Sequence, residues 1–539
     1  MDNWRDVNGI MQIYPRSYQD SSASNDGVGD LRGIISRLGY LKGEKDSLGI
    51  DAIWLSPIFT SPMHDFGYDV SDYKEIDPLF GTMQDFDDLL REAHARDIRV
   101  MLDFVPNHTS SEHQWFIEAC KSRTNPYRDY YIFRDARPDG SPPNNWLSVF
   151  GGSAWQWHEQ TKQYYLHSFL SQQPDLNWQN TAVQQAMADV LRFWFGKGVD
   201  GIRADAIRWM GKNIDLLDDP INSAFTAGQD PYHAVEHRYS RFSPELNGYL
   251  KIMTDVAREH DDKILIFEDH LDSLSPVESQ IRRINSIDPE VAGAFNFEAM
   301  HRQFSARSFS EMINRYQAYL PAQARAFYCF SNHDESRLAS RFGEKQARML
   351  AVLQLTLPGT PVLYYGQEIG MRDGVISPEE VQDPFEKRVP NKGLGRDPAR
   401  TPMQWSDEPM AGFTKLNRSW LPVNSDYVAN NVRLQQHSNN SLLSLHKTLF
   451  NLRKQHHVLL HGEFKHLQTT SDIFMFERKG EERFIVVCNF SEQTAHVLLP
   501  HNLDCEAHVV AAAHNAAMVG EKVRDSVTLE ALEALVLAC

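Results

Sequence analysis

The sequence predicts an α/β protein: a (β/α)8 (TIM) barrel with a lobe inserted after strand three and an antiparallel β-sandwich domain at the C-terminal end. Three observations predict it. Short apolar runs recur, each followed by a polar cluster and then an amphipathic stretch; strands alternating with helices imply a parallel sheet. Eight such runs suit a closed barrel rather than an open sheet. From about residue 462 the pattern changes to strand-like alternation without helices, as in DIFMFERKGEERFIVVCNFSE.

The eight runs are GIMQIYP (9–15), DAIWLSP (51–57), IRVMLDFVP (98–106), VDGIRADAI (199–207), ILIFEDH (264–270), GAFNFE (293–298), RAFYCFSNHD (325–334) and TPVLYYGQE (360–368). MQDFDDLLREAHARD (83–97) and EKQARMLAVLQLTLPG (344–359) read as helices between them. The long gap after the third run is rich in Trp, Tyr, Pro and Asn and reads as an irregular lobe. The resulting division is a barrel of 1–106 and 175–460, with an extra polar segment at about 369–420. The lobe occupies 107–174 and the β domain 461–539.

Composition bounds the function. The chain has 539 residues, too many for one ordinary core. Its formal charge of −18 argues against nucleic acid and against an anionic membrane surface. No stretch is apolar enough for a membrane helix, and the N-terminus lacks a basic segment followed by an apolar run. Five cysteines (Cys120, Cys329, Cys488, Cys505, Cys539) form no CxxC pair, which disfavours a disulfide framework or a zinc site. The expectation is a cytoplasmic protein, a monomer or weak homo-oligomer, acting on a small molecule.

In such a barrel, chemistry sits at the C-terminal ends of the strands. Those ends hold Asp103, Asn107 and His108 (third), Arg203 and Asp205 (fourth), Glu268, Asp269 and His270 (fifth), and Asn332, His333 and Asp334 (seventh); Asp65, Tyr68 and Asp69 follow the second. One such polar strand end is most often structural. Five converging on one rim make a site whose members shift one another's pKa. Several carboxylates with no serine or cysteine nucleophile fit glycoside hydrolysis. Arg203, on the same strand face as Asp205, would keep Asp205 ionised for attack. Glu268 follows the apolar ILIF, and burial there would keep it protonated as the acid/base. Asp269 points the other way by alternation. A metal-dependent hydrolase is the rival chemistry, but no HxH or HExxH spacing supports it.

The segments DFVPNH (103–108), GIRADAIRW (201–209), FEDH (267–270), FSNHD (330–334), QPDLNW (173–178), GYD (67–69) and GRDPARTPMQW (395–405) resemble the α-amylase superfamily, glycoside hydrolase family 13, in its oligo-1,6-glucosidase and α-glucosidase branch. The resemblance implies Asp205 as nucleophile, Glu268 as acid/base and Asp334 as the third carboxylate. It implies that His108, His333 and Arg203 surround the bound glucose, and that Asp65 and Tyr68 close the pocket. Arg400 would pair with Asp65 across the pocket floor, and Phe150 and Phe169 are wall candidates. No cofactor for the chemistry is implied. The branch's retaining, exo-acting α-glucosidases release one glucose at a time from an oligosaccharide, some with transglucosylation; trehalose and isomaltulose synthases share the triad. Non-catalytic transporter heavy chains share the fold, but they carry a membrane helix and have lost triad members.

Three departures from the family pattern stand out. The loop QDSSASNDGVGD (19–30) resembles the family's calcium loop but has two extra residues between Asp20 and Asp26. Asp20, Asp26, Val28 (through its carbonyl) and Asp30 are the candidate ligands for a structural calcium or magnesium ion; the competing reading makes Asp30 a helix N-cap. Arg208 and Trp209 replace the usual residues after the nucleophile and are expected to face the acceptor side. Phe267 stands where Gly is usual and is expected to tighten burial around Glu268. Finally, the resemblance makes the residue after the nucleophile a linkage sensor. Val goes with α-1,6 activity and a smaller residue with α-1,4; here it is Ala206.

Overall fold

The computed structural model describes residues 3–21, 26–500 and 506–539. Eight parallel strands close into a barrel: β1 (Ile10–Ile13), β2 (Ala52–Leu55), β3 (Arg99–Phe104), β4 (Gly201–Ala204), β5 (Ile264–Phe267), β6 (Ala292–Asn296), β7 (Phe327–Cys329) and β8 (Thr360–Tyr364). Each pairs with its neighbours in chain order, and β8 returns to β1. All eight apolar runs are barrel strands.

Both faces of these strands are buried, so the runs are continuously apolar rather than alternating. The period of two appears instead in what each side chain touches. Ile10, Trp54, Met101, Ile264, Ile266 and Phe295 pack together inside the barrel. Met11, Ile53, Leu102, Ile202, Leu265 and Phe267 belong to the larger core beneath the helices. Gly201 is required at the inner face: a Cβ there would come within 2.9 Å of both Ile264 Cγ2 and Met101 Cγ.

The outer helices are α1 (Leu31–Leu41), α2 (Met83–His94), α3 (Thr181–Gly196), α4 (Leu246–Arg258), α5 (Val277–Asn285), α6 (Ala306–Tyr319), α7 (Glu344–Thr356) and α8 (Leu442–Gln455). Helix α2 starts at a capping box between Thr82 and Asp85. It ends before Asp97, whose φ of 53° breaks the helix. Helix α7 stops at Thr356 because Pro358 disfavours helical geometry at Leu357.

Between β3 and α3 lie a helix, Gln114–Lys121, and a three-stranded antiparallel sheet of Phe133–Arg134, Gln163–Leu166 and Trp155–His158. At the C-terminal end, a six-stranded sheet includes Ile473–Lys479, Arg483–Asn489 and Ala534–Ala538; a separate pair joins Ala495–Leu498 to Ser526–Leu529. Met475, Ile485, Val487, Leu535 and Leu537 face that pair. Phe474, Phe476, Phe484 and Val486 face the barrel core. Among the described residues no helix is long and apolar enough to cross a membrane. Cys120, Cys329 and Cys488 are free thiols; Cys505 lies outside the described residues.

Candidate active site

The strand ends open into a cleft of about 970 Å³ lined by Asp65, Tyr68, His108, Asp205, Glu268 and Asp334, among others. Two neighbouring strands carry the inner carboxylates. The register pairs Ala204 of β4 with Phe267 of β5, and each chain runs one residue further. The Asp205 amide donates to Phe104 O at 2.8 Å and the Glu268 amide to Ala204 O at 2.9 Å. Alternation then turns Arg203, Asp205 and Glu268 inward.

Arg203 is 1% exposed, and its guanidinium holds three carboxylates. Nη1 lies 2.7 Å from Asp103 Oδ1 and 2.6 Å from Asp205 Oδ1; Nη2 lies 3.0 Å from Glu268 Oε2. Asp205 and Glu268 thus share one guanidinium. Three carboxylates on one cation in a buried site cannot all ionise cheaply. Burial, then the charges of Glu268 and Asp103, push the Asp205 carboxyl well above its usual value despite Arg203. Glu268 behaves otherwise than apolar burial alone predicts. Burial pushes it up, but Arg203, His270 and the Ala206 amide together hold it well below its usual value. That amide donates to Glu268 Oε2 at 2.7 Å, and His270 Nε2 lies 3.3 Å from Oε1.

Ala206 turns the chain sharply, with φ 50° and ψ 33°. This left-handed geometry tolerates a small side chain and penalises a β-branched one. Asp334 Oδ1 faces Arg400 Nη2 at 3.1 Å and Arg396 Nη1 at 3.4 Å. Burial raises its pKa, but His333 and these two arginines outweigh it, and the carboxyl lies below its usual value. His333 accepts from Gln12 Nε2 at Nδ1 (2.7 Å) and meets the Tyr68 hydroxyl at Nε2 (2.6 Å). Tyr68 in turn donates to Asp103 Oδ2 at 3.1 Å. Burial lowers His333 to about 3 and His108 to about 4, so both rings are neutral.

Arg396, not Arg400, pairs with Asp65, at 2.8 Å. Arg400 binds His333 O through Nε at 2.8 Å, as well as Asp334, and does not reach across. Asp383 fixes Arg396 from behind, at 2.7 Å. The GRDPAR segment contains both arginines, and spacing alone does not distinguish them. Gln173 of QPDLNW, assigned no role from sequence, donates to Asp65 Oδ2 at 3.2 Å.

Phe150 and Phe169 both line the cleft, with ring centroids 6.1 Å apart. Trp209 lines it too and packs on Phe169 at 5.0 Å. Arg208 does not face the acceptor side. It is buried, with Nη2 2.8 Å from Asp269 Oδ1 and its guanidinium 4.7 Å above Phe242. This pair accounts for Asp269 pointing away from the cleft. Phe267 faces the helices, so it cannot tighten burial around Glu268.

In the 20–30 loop, residues 22–25 lie outside the described residues. Asp30 caps α1 through Gly33 N at 2.7 Å, and its other oxygen accepts from Ser21 N and Oγ. Asp20 Oδ2 accepts from Gly27 N and Thr414 Oγ1, and Asp26 Oδ1 from the Val28 amide. Among the described residues no three acidic, His or Cys side chains gather into a cation cage. As described, these carboxylates accept from N–H and O–H donors.

The α-amylase catalytic-domain family matches residues 12–462. The chain belongs to that family. It is similar to a probable α-glucosidase of Rhizobium meliloti (strain 1021), 39% identical, the match covering 93% of this chain and 91% of that protein. It is as similar to an oligo-1,6-glucosidase of Parageobacillus thermoglucosidasius, 39% identical and covering 92% of each. The crystal structure of XgtA, an α-glucosyl transfer enzyme, superposes with a TM-score of 0.91 at 36% identity over 99% of both chains. This α-amylase-family chain is thus a glycoside hydrolase.

Proposed function

We propose that the enzyme is an exo-acting, retaining α-glucosidase that cleaves α-1,4-linked maltose and short oligosaccharides. The observation that carries this reading is that Asp205 and Glu268 share the Arg203 guanidinium, at 2.6 and 3.0 Å. Two carboxyls held on one guanidinium suit the ~5–5.5 Å spacing of a retaining enzyme rather than the ~6.5–9.5 Å an inverting enzyme needs to admit water between them. Asp205 attacks the anomeric carbon and forms a covalent glucosyl-enzyme. Glu268 protonates the leaving oxygen and then activates water. Attack needs the charge on Asp205 and a proton on Glu268. The shorter Arg203 contact, 2.6 Å against 3.0 Å, then favours the charge on Asp205. Asp334 and its two arginines grip sugar hydroxyls, and the Asp65–Arg396 pair blocks the cleft beyond one glucose, which makes the action exo.

Ala206 supports α-1,4 preference, because a β-branched side chain there would occupy acceptor space. Another sugar in place of water as acceptor gives transglucosylation, which the likeness to a glucosyl transfer enzyme favours. The alternative is an oligo-1,6-glucosidase, or an isomerase of the trehalose or isomaltulose synthase type. Maltose and isomaltose, followed by NMR from the first turnover, separate these readings. α-Glucose as the first product, with a higher kcat/KM on maltose, is the expected result. β-Glucose would overturn retention; preference for isomaltose would overturn the linkage.

A further inference from the structure

Glu268 and His270 leave β5 two residues apart and turn to the same side, while Asp269 between them turns to Arg208. His270 Nε2 lies 3.3 Å from Glu268 Oε1. The other oxygen, Oε2, is fully engaged: the Ala206 amide donates to it at 2.7 Å and Arg203 Nη2 lies 3.0 Å away. A carboxylate oxygen offers two lone-pair sites, and on Oε2 both are taken. An acid proton on Glu268 therefore belongs on Oε1, against the imidazole, and Oε1 keeps its second site for a leaving oxygen. Stacking on Phe297, with ring centroids 4.8 Å apart, holds the imidazole in place. The His270 side chain is 34% exposed and lines both the cleft and a neighbouring cavity of about 480 Å³, so solvent reaches the ring.

We infer that His270 is a positioning residue for the acid/base, holding the proton that Glu268 Oε1 delivers to the leaving oxygen and taking it back afterwards; this rests on Glu268 as the acid/base proposed above. The charged ring donates through Nε2 to the carboxylate, and the neutral ring accepts at the same nitrogen from the carboxylic acid, so one contact serves both states. In the first step the proton moves from Nε2 to Oε1 to the glycosidic oxygen, as that oxygen leaves the anomeric carbon and Asp205 bonds to it. In the second, water gives its proton to Oε1 and on to Nε2, its oxygen bonds to the anomeric carbon, and Asp205 departs with the electron pair. Each turnover consumes one water and no net proton. The surroundings favour a proton on this ring. Asp205 and Asp334 in the cleft, and Asp269, Asp272 and Glu298 beside the cavity, all lie on arginines. Burial lowers His301 to about 4, so it is neutral, and Glu335 attracts a charge on His270.

The test is the pH profile of kcat/KM, which on a covalent route reports the step that protonates the leaving oxygen. Without the ring, Glu268 alone must hold the proton, and Arg203 with the Ala206 amide favours its loss as pH rises. On maltose, His270→Gln, with His270→Asn as a second variant, should lose at least about tenfold more kcat/KM at pH ~7.5 than at pH ~5.5, relative to wild type. On α-glucosyl fluoride, whose leaving group needs no proton, the losses at the two pH values should be equal. Maltose losses that are the same at both pH values, or no loss at all, overturn the inference. Glu268→Gln tests the underlying reading separately. Equal losses on maltose and on the fluoride would overturn Glu268 as the acid; a loss confined to maltose, beside an unshifted His270→Gln profile, would remove His270 alone.

Discussion

Arg203 and Asp205 meet at 2.6 Å, two residues apart on the inner face of β4. The same guanidinium holds Glu268, so both proposed catalytic carboxylates sit on one fixed mount. Asp205→Asn and Glu268→Gln should therefore keep the wild-type Tm within a few degrees yet lose roughly 10³-fold or more in kcat. Thermal melts and steady-state rates on maltose check both; near-normal turnover in either variant refutes its assignment.

Arg396 ties Asp65 to Asp383 within a buried network. Removing the cation leaves two buried carboxylates unpaired, at a cost of about 3–5 kcal/mol. Arg396→Met should lower Tm markedly and raise KM for maltose at least tenfold. Arg400→Met leaves the Asp65 pair intact and should act on kcat through Asp334. A kcat and KM comparison of the two variants decides which arginine closes the pocket.

Ala206 occupies left-handed backbone. Ala206→Val should cost about 1–2 kcal/mol through strain and shift the kcat/KM ratio towards isomaltose. An unchanged ratio would detach linkage preference from this position.

His108, His333 and His446 are at most 1% exposed. Burial lowers them to about 4, 3 and 4. The unfolded chain takes up protons at these sites below pH 6.5, and the folded chain refuses them until much lower pH. Their contribution is thus complete above pH 6.5 and lost as pH falls towards 4, at about 1.4 kcal/mol per histidine per pH unit. Urea midpoints should fall steeply from pH 6.5 to pH 4.5; a flat profile would contradict it.

A calcium or magnesium ion in the 20–30 loop is proposed on the resemblance alone. If the ion binds, millimolar calcium raises Tm by several degrees through linkage, and chelator reverses it. No shift in either direction would leave Asp30 as a helix cap and nothing more.

The eight strand runs were legible because barrel strands buried on both faces are continuously apolar, and their polar ends are marked by residues such as Asp205 and Glu268. The phase of each strand was legible too: alternation alone separates Glu268 from Asp269. Three things were not. Whether Arg396 or Arg400 meets Asp65 depends on how the 369–420 segment folds over the cleft, a long-range contact with no local signal. The fate of Arg208 depended on Asp269 and Phe242 approaching from other segments. The protonation of Glu268 depended on Arg203, His270 and the Ala206 amide converging on it. The sequence by itself determined the fold and which polar residues stand at the strand ends, because periodicity and residue type are local. Only the tertiary structure decided who pairs with whom, because charges in a buried site answer to the nearest partner in space.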